Sequence, residues 1–417
     1  MRAICWFLSC FMMVALIVAT LQASEPASTP TFRIQLKAVS FDYPGAEHWA
    51  EIERPDGTHA WAFAIFTGQD NWIVPIHADQ AGTYRLLRVE RRLEDARKVD
   101  TIGKNSQLQL DVNNPRKSDP PAPVQKALVD AGEFKTIFTA EDPWCVNDHA
   151  FIQGPDKTWH MFGITHPKPF DFFKDPGHKL CHATAQTLLQ TPWQAQPAAV
   201  NRDWEQYQEF LLWAPYVLRH DGIYYMFLCA GDKDTHRYRI HLLTSPDLMV
   251  WTRSPDNPMV VDGFDARDPF VMRVGDQWVL YYTATTTPEC GNHIVACVTS
   301  KDLIHWGDRK VVFTHPRAGS FGGPTESPFV VRRGNNYYLF LCDNGWTDVY
   351  LSHDPFHWDF DRKNTRVKSH ASEIVRSVDG QWYISSTGWM SGPVSLAPLH
   401  WHDGLDDKPA NVLPGEK

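Results

Sequence analysis

The sequence predicts an all-β fold: a five-bladed β-propeller preceded by a small N-terminal β-sandwich-like domain. Three observations carry this prediction. A hairpin phrase occurs five times, a turn-and-tryptophan phrase follows each hairpin, and the region before them alternates in short apolar runs broken by Pro, Asp and Gly. The two phrases together recur every roughly 45 to 65 residues, which is the period typical of a propeller blade. A β-sandwich with accidental similarity is the alternative, and five copies in register argue against it.

The hairpin phrase consists of two short apolar strands joined by a turn that contains Gly, Asp or Asn. Such turns connect antiparallel strands with little strain. In every copy, an apolar residue of the first strand and an aromatic residue of the second are eight positions apart. The five pairs are Phe151 and Trp159, Tyr216 and Tyr224, Phe270 and Trp278, Phe329 and Tyr337, and Ile374 and Trp382.

The second phrase places Ser, then Asp and an apolar residue, shortly before a tryptophan. Its clearest forms span residues 244–251, 299–306 and 352–358, and looser forms end at Trp193 and Trp401. We expect each copy to follow the third strand of a blade.

Changes in composition divide the chain into five segments. They are a signal peptide at 1–23, an N-terminal β domain at 24–112, a Pro-rich linker at 113–133, the propeller at 134–405 and a C-terminal tail at 406–417. The apolar run from Ile4 to Leu21 follows Arg2 and ends in small residues, which is typical of a secretory signal cleaved after Ala23. An uncleaved membrane anchor is the alternative. We therefore expect a secreted or periplasmic protein without membrane association after cleavage.

The composition gives no reason to expect nucleic acid as a partner, because the net charge is −9 and no basic run occurs. Of the eight cysteines, Cys5 and Cys10 fall in the signal segment, which leaves six without zinc-site spacing. Cys290 and Cys297 could form a disulfide in an oxidising compartment, and buried free thiols fit the sequence equally well.

Three blades place an acid where the innermost strand begins, at one mouth of the central channel. These acids are Asp148, Asp268 and Glu326, and they precede the hairpin aromatic by 11, 10 and 11 residues. Like charges in a low dielectric push carboxyl pKa values apart. Glycoside hydrolysis needs that separation, because one carboxyl must keep its proton while another is ionised. A single such acid would be interpreted as a cap of backbone amides, but three at matching positions favour catalysis.

These residues carry a resemblance to known enzymes. Asp148, the segment 267–269 (Arg-Asp-Pro) and the segment 326–328 (Glu-Ser-Pro) resemble the signatures of five-bladed propeller glycoside hydrolases. The families concerned are 43 and 62 and the related families 32 and 68. The segment 213–215 (Trp-Ala-Pro) is similar to the second blade of family 43. The resemblance covers about residues 134–401 and not the N-terminal domain.

The resemblance implies a role for each acid. Asp148 would be the general base of an inverting enzyme or the nucleophile of a retaining one. Asp268 would tune the acid and bind substrate hydroxyls, and Glu326 would be the general acid. Asp148 precedes His149, whereas the families usually have Pro or a small residue there, so Asp142 is the alternative to Asp148.

Four further residues are candidates for binding substrate. Arg267 has a planar fork of donors suited to adjacent hydroxyls, with a structural ion pair as the alternative. Trp213 would give an aromatic wall for a sugar, and His149 lies at the same mouth. For His370 in blade five, the resemblance implies a water-mediated contact to a structural calcium or sodium ion in the channel; otherwise it bonds substrate or a carboxylate. No organic cofactor is expected.

The sequence therefore predicts a glycoside hydrolase acting on an oligo- or polysaccharide that contains a furanoside or pentose, such as an arabinofuranoside, xyloside or fructoside. One alternative is a non-catalytic glycan-binding propeller, which an ion pair between Glu326 and an arginine would favour. The other is a propeller glycoside phosphorylase. It would need a cluster of cations facing the carboxylates, and Arg267 with residues 236–239 supplies a faint version of one.

Overall fold

A computed structural model describes residues 30–36, 46–76, 78–92, 99–104, 108–113, 127–168, 177–320, 322–388 and 392–405. The chain forms two compact units, Met1–Pro121 and Ala122–Lys417. The predicted signal segment and the predicted C-terminal tail lie outside the described residues. Within the described ranges, no helix has the length and apolar character needed to span a membrane.

The first unit contains two antiparallel sheets. One holds β1 (Thr31–Gln35), β4 (Ile65–Gly68) and β5 (Asn71–Pro75), and the other holds β2 (Ala46–Glu53), β3 (His59–Phe63), β6 (Gly82–Arg92), β7 (Val99–Lys104) and β8 (Gln109–Val112). The rings of His48 in β2 and Trp72 in β5 lie 4.6 Å apart, and both side chains are buried. Burial lowers the pKa of His48 to about 3, so the imidazole is neutral and packs as an apolar group. This two-sheet arrangement agrees with the predicted sandwich.

The second unit is the predicted five-bladed propeller. Blade one has β11 (Trp144–Gln153), β12 (Trp159–Pro167), β13 (Lys179–Ala185) and β14 (Gln194–Asn201); blade two has β15 (Glu209–His220), β16 (Ile223–Asp232), β17 (Tyr238–Ser245), β18 (Thr252–Arg253) and β19 (Val260–Val261); blade three has β20 (Arg267–Val274), β21 (Gln277–Thr285), β22 (Gly291–Ser300) and β23 (Lys310–Gly319); blade four has β24 (Glu326–Arg333), β25 (Asn336–Asp343), β26 (Trp346–Ser352) and β27 (Lys363–Val367); blade five has β28 (Ile374–Arg376), β29 (Trp382–Thr387) and β30 (Val394–Trp401). A 3-10 turn, Phe360–Arg362, precedes β27. Each predicted hairpin forms the first two strands of a blade.

Blade five is completed by strands from before blade one. β10 (Lys135–Phe138) and β9 (Val129–Ala131) both pair with β30, which closes the ring of blades. The predicted linker of 113–133 is therefore too long at its C-terminal end. The backbone groups of β9 bond to β30, and a composition rich in Pro and polar residues just upstream gave no sign of this long-range pairing.

The second sequence phrase forms the turn after the third strand. In blades two and three, a serine hydroxyl at the strand end accepts the N–H of a leucine three residues on. The distance from the Leu248 nitrogen to Ser245 Oγ is 2.9 Å, and that from the Leu303 nitrogen to Ser300 Oγ is 3.0 Å. The tryptophan that follows packs between strands, as Trp358 shows: it is 2% exposed and its indole N–H donates to the carbonyl of Tyr337.

The six cysteines of the described residues are free thiols. Cys297 is buried within β22, where it pairs with Tyr281 on one side and Lys310 on the other. The disulfide considered between Cys290 and Cys297 is not formed, and the free-thiol alternative describes the structure.

Candidate active site

The innermost strands of blades one to four each contain a bulge near their start, where two residues oppose one residue of the second strand. The bulged pairs are 147–148, 214–215, 268–269 and 327–328. A bulge bends the strand and turns a side chain in a new direction. In three of the four, the second bulge residue is proline, which has no N–H to leave unpaired. Those prolines were the sequence signal for this feature.

The first bulge residue of blades two, three and four has a left-handed backbone. The φ values are 43° at Ala214, 54° at Asp268 and 48° at Ser327. This region is disfavoured for residues with a side chain, and such strain is retained mainly at functional sites. At Asp268 and Ser327 it brings a polar side chain to the mouth of the channel.

The three acids reach this mouth from different bulge positions. Asp148 is the second bulge residue of blade one, Asp268 is the first of blade three, and Glu326 directly precedes the bulge of blade four. The near-common register predicted by residue counting is confirmed to within one residue: Asp148 and Asp268 lie five residues before the strand partner of their hairpin aromatic, and Glu326 lies six before it. The bulge positions differ because the bulge of blade one lies one residue further from its hairpin than the bulges of blades three and four. Counting along the chain could not separate turn length from bulge position.

A small cavity lies where the five innermost strands converge. Its lining comes from all five blades: Asp148, His149, Ala214, Pro215, Asp268, Pro269, Ser327, Pro328, Ala371 and Glu373. Asp142 is exposed in the turn before β11 and is not part of this lining. Among the two acids considered for blade one, only Asp148 reaches the cavity.

Arg267 is buried at the centre of the acids. Its Nε donates to Asp265 Oδ1 at 2.7 Å, and its Nη1 lies 3.1 Å from both Asp268 Oδ2 and Glu326 Oε1. One guanidinium therefore serves three carboxyl groups. These contacts agree with the alternative role considered for Arg267, a structural ion pair. Its contact with substrate hydroxyls stays a prediction. Because one nitrogen touches both acids, the contacting oxygens of Asp268 and Glu326 lie within roughly 6 Å of each other.

The surroundings of Glu326 keep its proton at neutral pH. Burial raises the pKa of Glu326 to about 8, because the ionised form loses hydration; Arg267 opposes the rise, and Asp268 and Asp148 add to it. The side chain is nevertheless 20% exposed. Glu326 is thus a protonated acid that a ligand can reach.

The pKa values of Asp148 and Asp268 are also raised by burial, but each carboxylate has partners that favour its charge. For Asp148 these are a hydrogen bond from Ser327 and the charge of Arg267. For Asp268 they are Arg267 and the backbone N–H of Ser327. The net shift of both pKa values is nonetheless upward, and what sets the two aspartates apart from Glu326 is the hydrogen bonds that they accept from Ser327.

His149 lines the cavity, and its predicted contact with substrate stays a prediction. Its Nε2 lies 2.8 Å from Ser385 Oγ and its Nδ1 lies 3.1 Å from the carbonyl oxygen of Asn147. Both ring nitrogens are engaged within the protein, and the side chain is buried. His149 joins blade one to blade five and holds the Asp148 segment in place.

His370 is buried at the mouth of blade five, with Nδ1 3.3 Å from Thr387 Oγ1. Burial lowers its pKa to about 4, so the ring is neutral. No group of three or more His, Cys, Asp or Glu residues in the described part of the chain could hold a metal ion. The predicted ion would be held through water and not by a cluster of side chains, so the water-mediated contact of His370 to a calcium or sodium ion stays a prediction.

Trp213 is half-buried, and its ring stacks on that of Tyr238 with centroids 5.4 Å apart. One face of the indole is therefore used within blade two. Its role as a platform for sugar stays a prediction.

Glu373, which the catalytic assignment did not include, lines both the cavity and the apolar central channel beneath it. Burial raises its pKa well above the usual range, and the charge of Asp148 adds to that rise. A second residue beyond the assignment is Asp265, which is fully buried against Arg267. Asp265 lies before the strand motif of blade three begins. The only sequence signal for its role was its position two residues before Arg267.

No protein-family model matches the chain, and no curated protein matches its sequence. Solved structures do match. An endo-arabinase from Bacteroides thetaiotaomicron is 13% identical, with a TM-score of 0.51 over 65% of this chain and 100% of the other. A family 43 β-xylosidase/α-arabinofuranosidase from a compost microbial metagenome, in complex with xylotriose, is 14% identical, with a TM-score of 0.50 over 69% and 99%. A family 117 glycoside hydrolase from Zobellia galactanivorans is 10% identical, with a TM-score of 0.51 over 68% and 94%.

These similarities establish the fold. The chain has the five-bladed architecture of the propeller glycoside hydrolases that its blade motifs resemble.

Proposed function

We propose that the protein is a glycoside hydrolase that cleaves a furanoside or pentose-containing glycan by carboxyl acid–base chemistry. The observation that carries the proposal is the asymmetry of the acids at the mouth. Glu326 holds a proton with a pKa of about 8 and is partly exposed, while Asp148 and Asp268 accept hydrogen bonds that favour their ionised forms. Glycosidases need this combination of one acid and one base or nucleophile.

In the proposed reaction, Glu326 donates its proton to the glycosidic oxygen as the bond from that oxygen to the anomeric carbon breaks. In an inverting enzyme, Asp148 accepts a proton from the water whose oxygen attacks the same carbon. In a retaining enzyme, the Asp148 carboxylate attacks first and water then releases the sugar, with Glu326 acting as base. Asp268 raises the pKa of Glu326 by its charge in both cases.

The substrate class rests on the neighbours of the fold. Two of them are an endo-arabinase and a β-xylosidase/α-arabinofuranosidase with bound xylotriose. The Asp148, Asp268 and Glu326 motifs resemble the same enzymes. A pentose-containing oligosaccharide is therefore the first substrate to test, with fructosides next.

The contact between Glu326 and Arg267 bears on the non-catalytic alternative. An exclusive ion pair would hold Glu326 ionised and favour a binding protein. Here the same guanidinium also serves Asp265 and Asp268, and the pKa of Glu326 is raised rather than lowered. The arrangement favours catalysis.

The phosphorylase alternative has less support. Arg267 is committed to carboxyl groups, and Arg239 forms a salt bridge of 2.9 Å with Asp232. His236 stacks on Phe210. Three of the four basic residues that could bind phosphate thus have other contacts.

The decisive experiment is hydrolysis of a panel of nitrophenyl glycosides, arabino- and xylo-oligosaccharides and fructans by wild type and Glu326→Gln. We expect cleavage of a pentoside that falls by about 10²- to 10⁴-fold in the variant. Asp276→Asn, in the exposed hairpin turn of blade three, is the matched control and should cleave normally. Glycan binding without cleavage by wild type would replace the proposal with the binding protein, and the anomer released would distinguish retention from inversion.

We also propose that the protein is exported, on the signal-like segment at 1–23. Fractionation of cells that express the full chain, with N-terminal sequencing of the mature protein, tests this. Recovery of intact protein in the cytoplasmic fraction would contradict it.

A further inference from the structure

Ser327 contacts both of the other acids of the site, besides following Glu326 in the chain. Its hydroxyl donates to Asp148 Oδ1 at 2.7 Å, and its backbone N–H donates to Asp268 Oδ2 at 2.9 Å. Asp148 belongs to blade one and Asp268 to blade three. A single residue of blade four therefore links three carboxyl groups.

The backbone of Ser327 is unusual for a residue with a side chain. Its φ of 48° lies in the left-handed region, which glycine adopts without strain. The bond to Asp268 uses only the backbone N–H, which glycine would also supply. Within the described part of the chain, the Ser327 side chain makes one hydrogen bond, to Asp148.

The surroundings of Asp148 make that hydrogen bond valuable. Several other titratable or charged groups face its carboxylate: Arg267 and Asp268 of β20, Glu326 of β24, the buried thiol of Cys342 in β25, and Glu373 just before β28. Arg267 is the one cation of this set, and its charge is shared among three carboxyls. A hydroxyl donor favours the ionised form of Asp148 without bringing a further charge into the cavity.

We propose that Ser327 is a positioning residue, whose hydroxyl fixes the Asp148 carboxylate at the cavity and favours its ionised state. The inference rests on the proposed function, because it assigns Ser327 to the base or nucleophile of that reaction. Ser327 acts through Asp148 and not on the reacting atoms.

Two substitutions at the same position separate the hydroxyl from the backbone. Ser327→Ala removes the hydroxyl and keeps the left-handed strain, and Ser327→Gly removes both. Loss of the donor raises the pKa of Asp148, so the acidic limb of the kcat/KM profile should move up by about one pH unit in both variants. The basic limb, set by Glu326, should stay in place.

The thermal stability of the two variants separates the effect of the hydroxyl from the effect of backbone strain. Ser327→Gly should melt at a higher temperature than Ser327→Ala, because glycine adopts this φ freely. An equal shift of the acidic limb in both supports the hydroxyl as its cause, and a shift that follows melting temperature overturns the proposal. Ser300→Ala, which removes a hydroxyl from a turn remote from the mouth, should lower stability without moving the profile.

A measurement without substrate keeps this test independent of the proposed function. The carboxyl carbons of ¹³C-labelled aspartates are titrated by NMR, with Asp148 assigned by comparison with Asp148→Asn. We expect the Asp148 titration to move up by about one unit in Ser327→Ala. An unchanged titration overturns the role of Ser327, even in an active enzyme. A shifted titration in a protein that cleaves no glycoside supports it and rejects only the hydrolase.

Discussion

The two ends of the innermost strands differ in how strictly the blades repeat. At the hairpin end, blades two to five each place an arginine over the aromatic ring of the second strand. The pairs are Arg219 and Tyr224 (5.7 Å), Arg273 and Trp278 (5.4 Å), Arg332 and Tyr337 (5.8 Å), and Arg376 and Trp382 (5.2 Å). At the other end, the bulge pairs of blades one to four all differ: Asn-Asp, Ala-Pro, Asp-Pro and Ser-Pro.

The hairpin end carries the repeated structure, and the bulge end carries the candidate site. The repeated arginines donate Nε to a glycine carbonyl of their own turn in three blades, at 3.3 to 3.4 Å. Each contact is complete within one blade. The contacts of the bulge end join different blades, as Ser327 with Asp148 does. Four predictions test this division between the two ends, in order of decreasing size.

Asp148→Asn should lower kcat/KM by about 10²- to 10⁴-fold, because the amide can neither accept the proton nor attack. Steady-state kinetics on the substrate found in the panel measure this. Asp142→Asn is the matched control, since Asp142 is exposed outside the cavity. Full activity of Asp148→Asn would remove Asp148 from the mechanism.

Arg267→Met should destabilise the propeller by about 3–5 kcal/mol at neutral pH, because Asp265 and Asp268 lose their shared counter-charge. Denaturant unfolding measures this. The loss should shrink as pH falls and the carboxyls protonate. A destabilisation that is equal at pH 4 and pH 8 would show that packing, and not charge, is the cause.

The raised pKa of Glu326 should make stability depend on pH. The folded state binds this proton more tightly than the unfolded state, whose value is near 4.5, so the contribution is complete below that pH and is lost as pH rises through about 8. Asp265, with a pKa raised to about 6, adds a similar loss at lower pH. Urea unfolding should therefore show falling stability from pH 6 to 8, and Glu326→Gln should flatten that part of the curve. A slope that persists in the variant would assign the proton to another group.

Arg332→Met tests the repeated end. The guanidinium is exposed and lies 5.8 Å from the centroid of Tyr337, so its removal should cost about 0.5–1 kcal/mol. Activity and its pH profile should be unchanged. A kinetic effect as large as that of Asp148→Asn would show that the two ends are coupled, and would contradict the division.

The sequence predicted the repeated features well, because they are local. Each hairpin is encoded within about a dozen residues by alternating apolar positions and a turn. The acids at Asp268 and Glu326 could be assigned to one mouth from that repeat alone. By contrast, β9 was assigned to a linker, because its partner in β30 lies at the other end of the chain.

The number of blades, the mouth at which the acids meet and three of those acids could be read from the sequence alone. Folding of the whole chain sets the bulge position of each acid, the sharing of Arg267 among three carboxyls, and the hydrogen bond from Ser327 to Asp148 across 179 positions of the chain. The two sets of features differ in how far apart along the chain the interacting residues lie. Turns and strands follow from neighbouring residues, whereas a pKa and a hydrogen bond between blades depend on burial and on groups that only folding brings together.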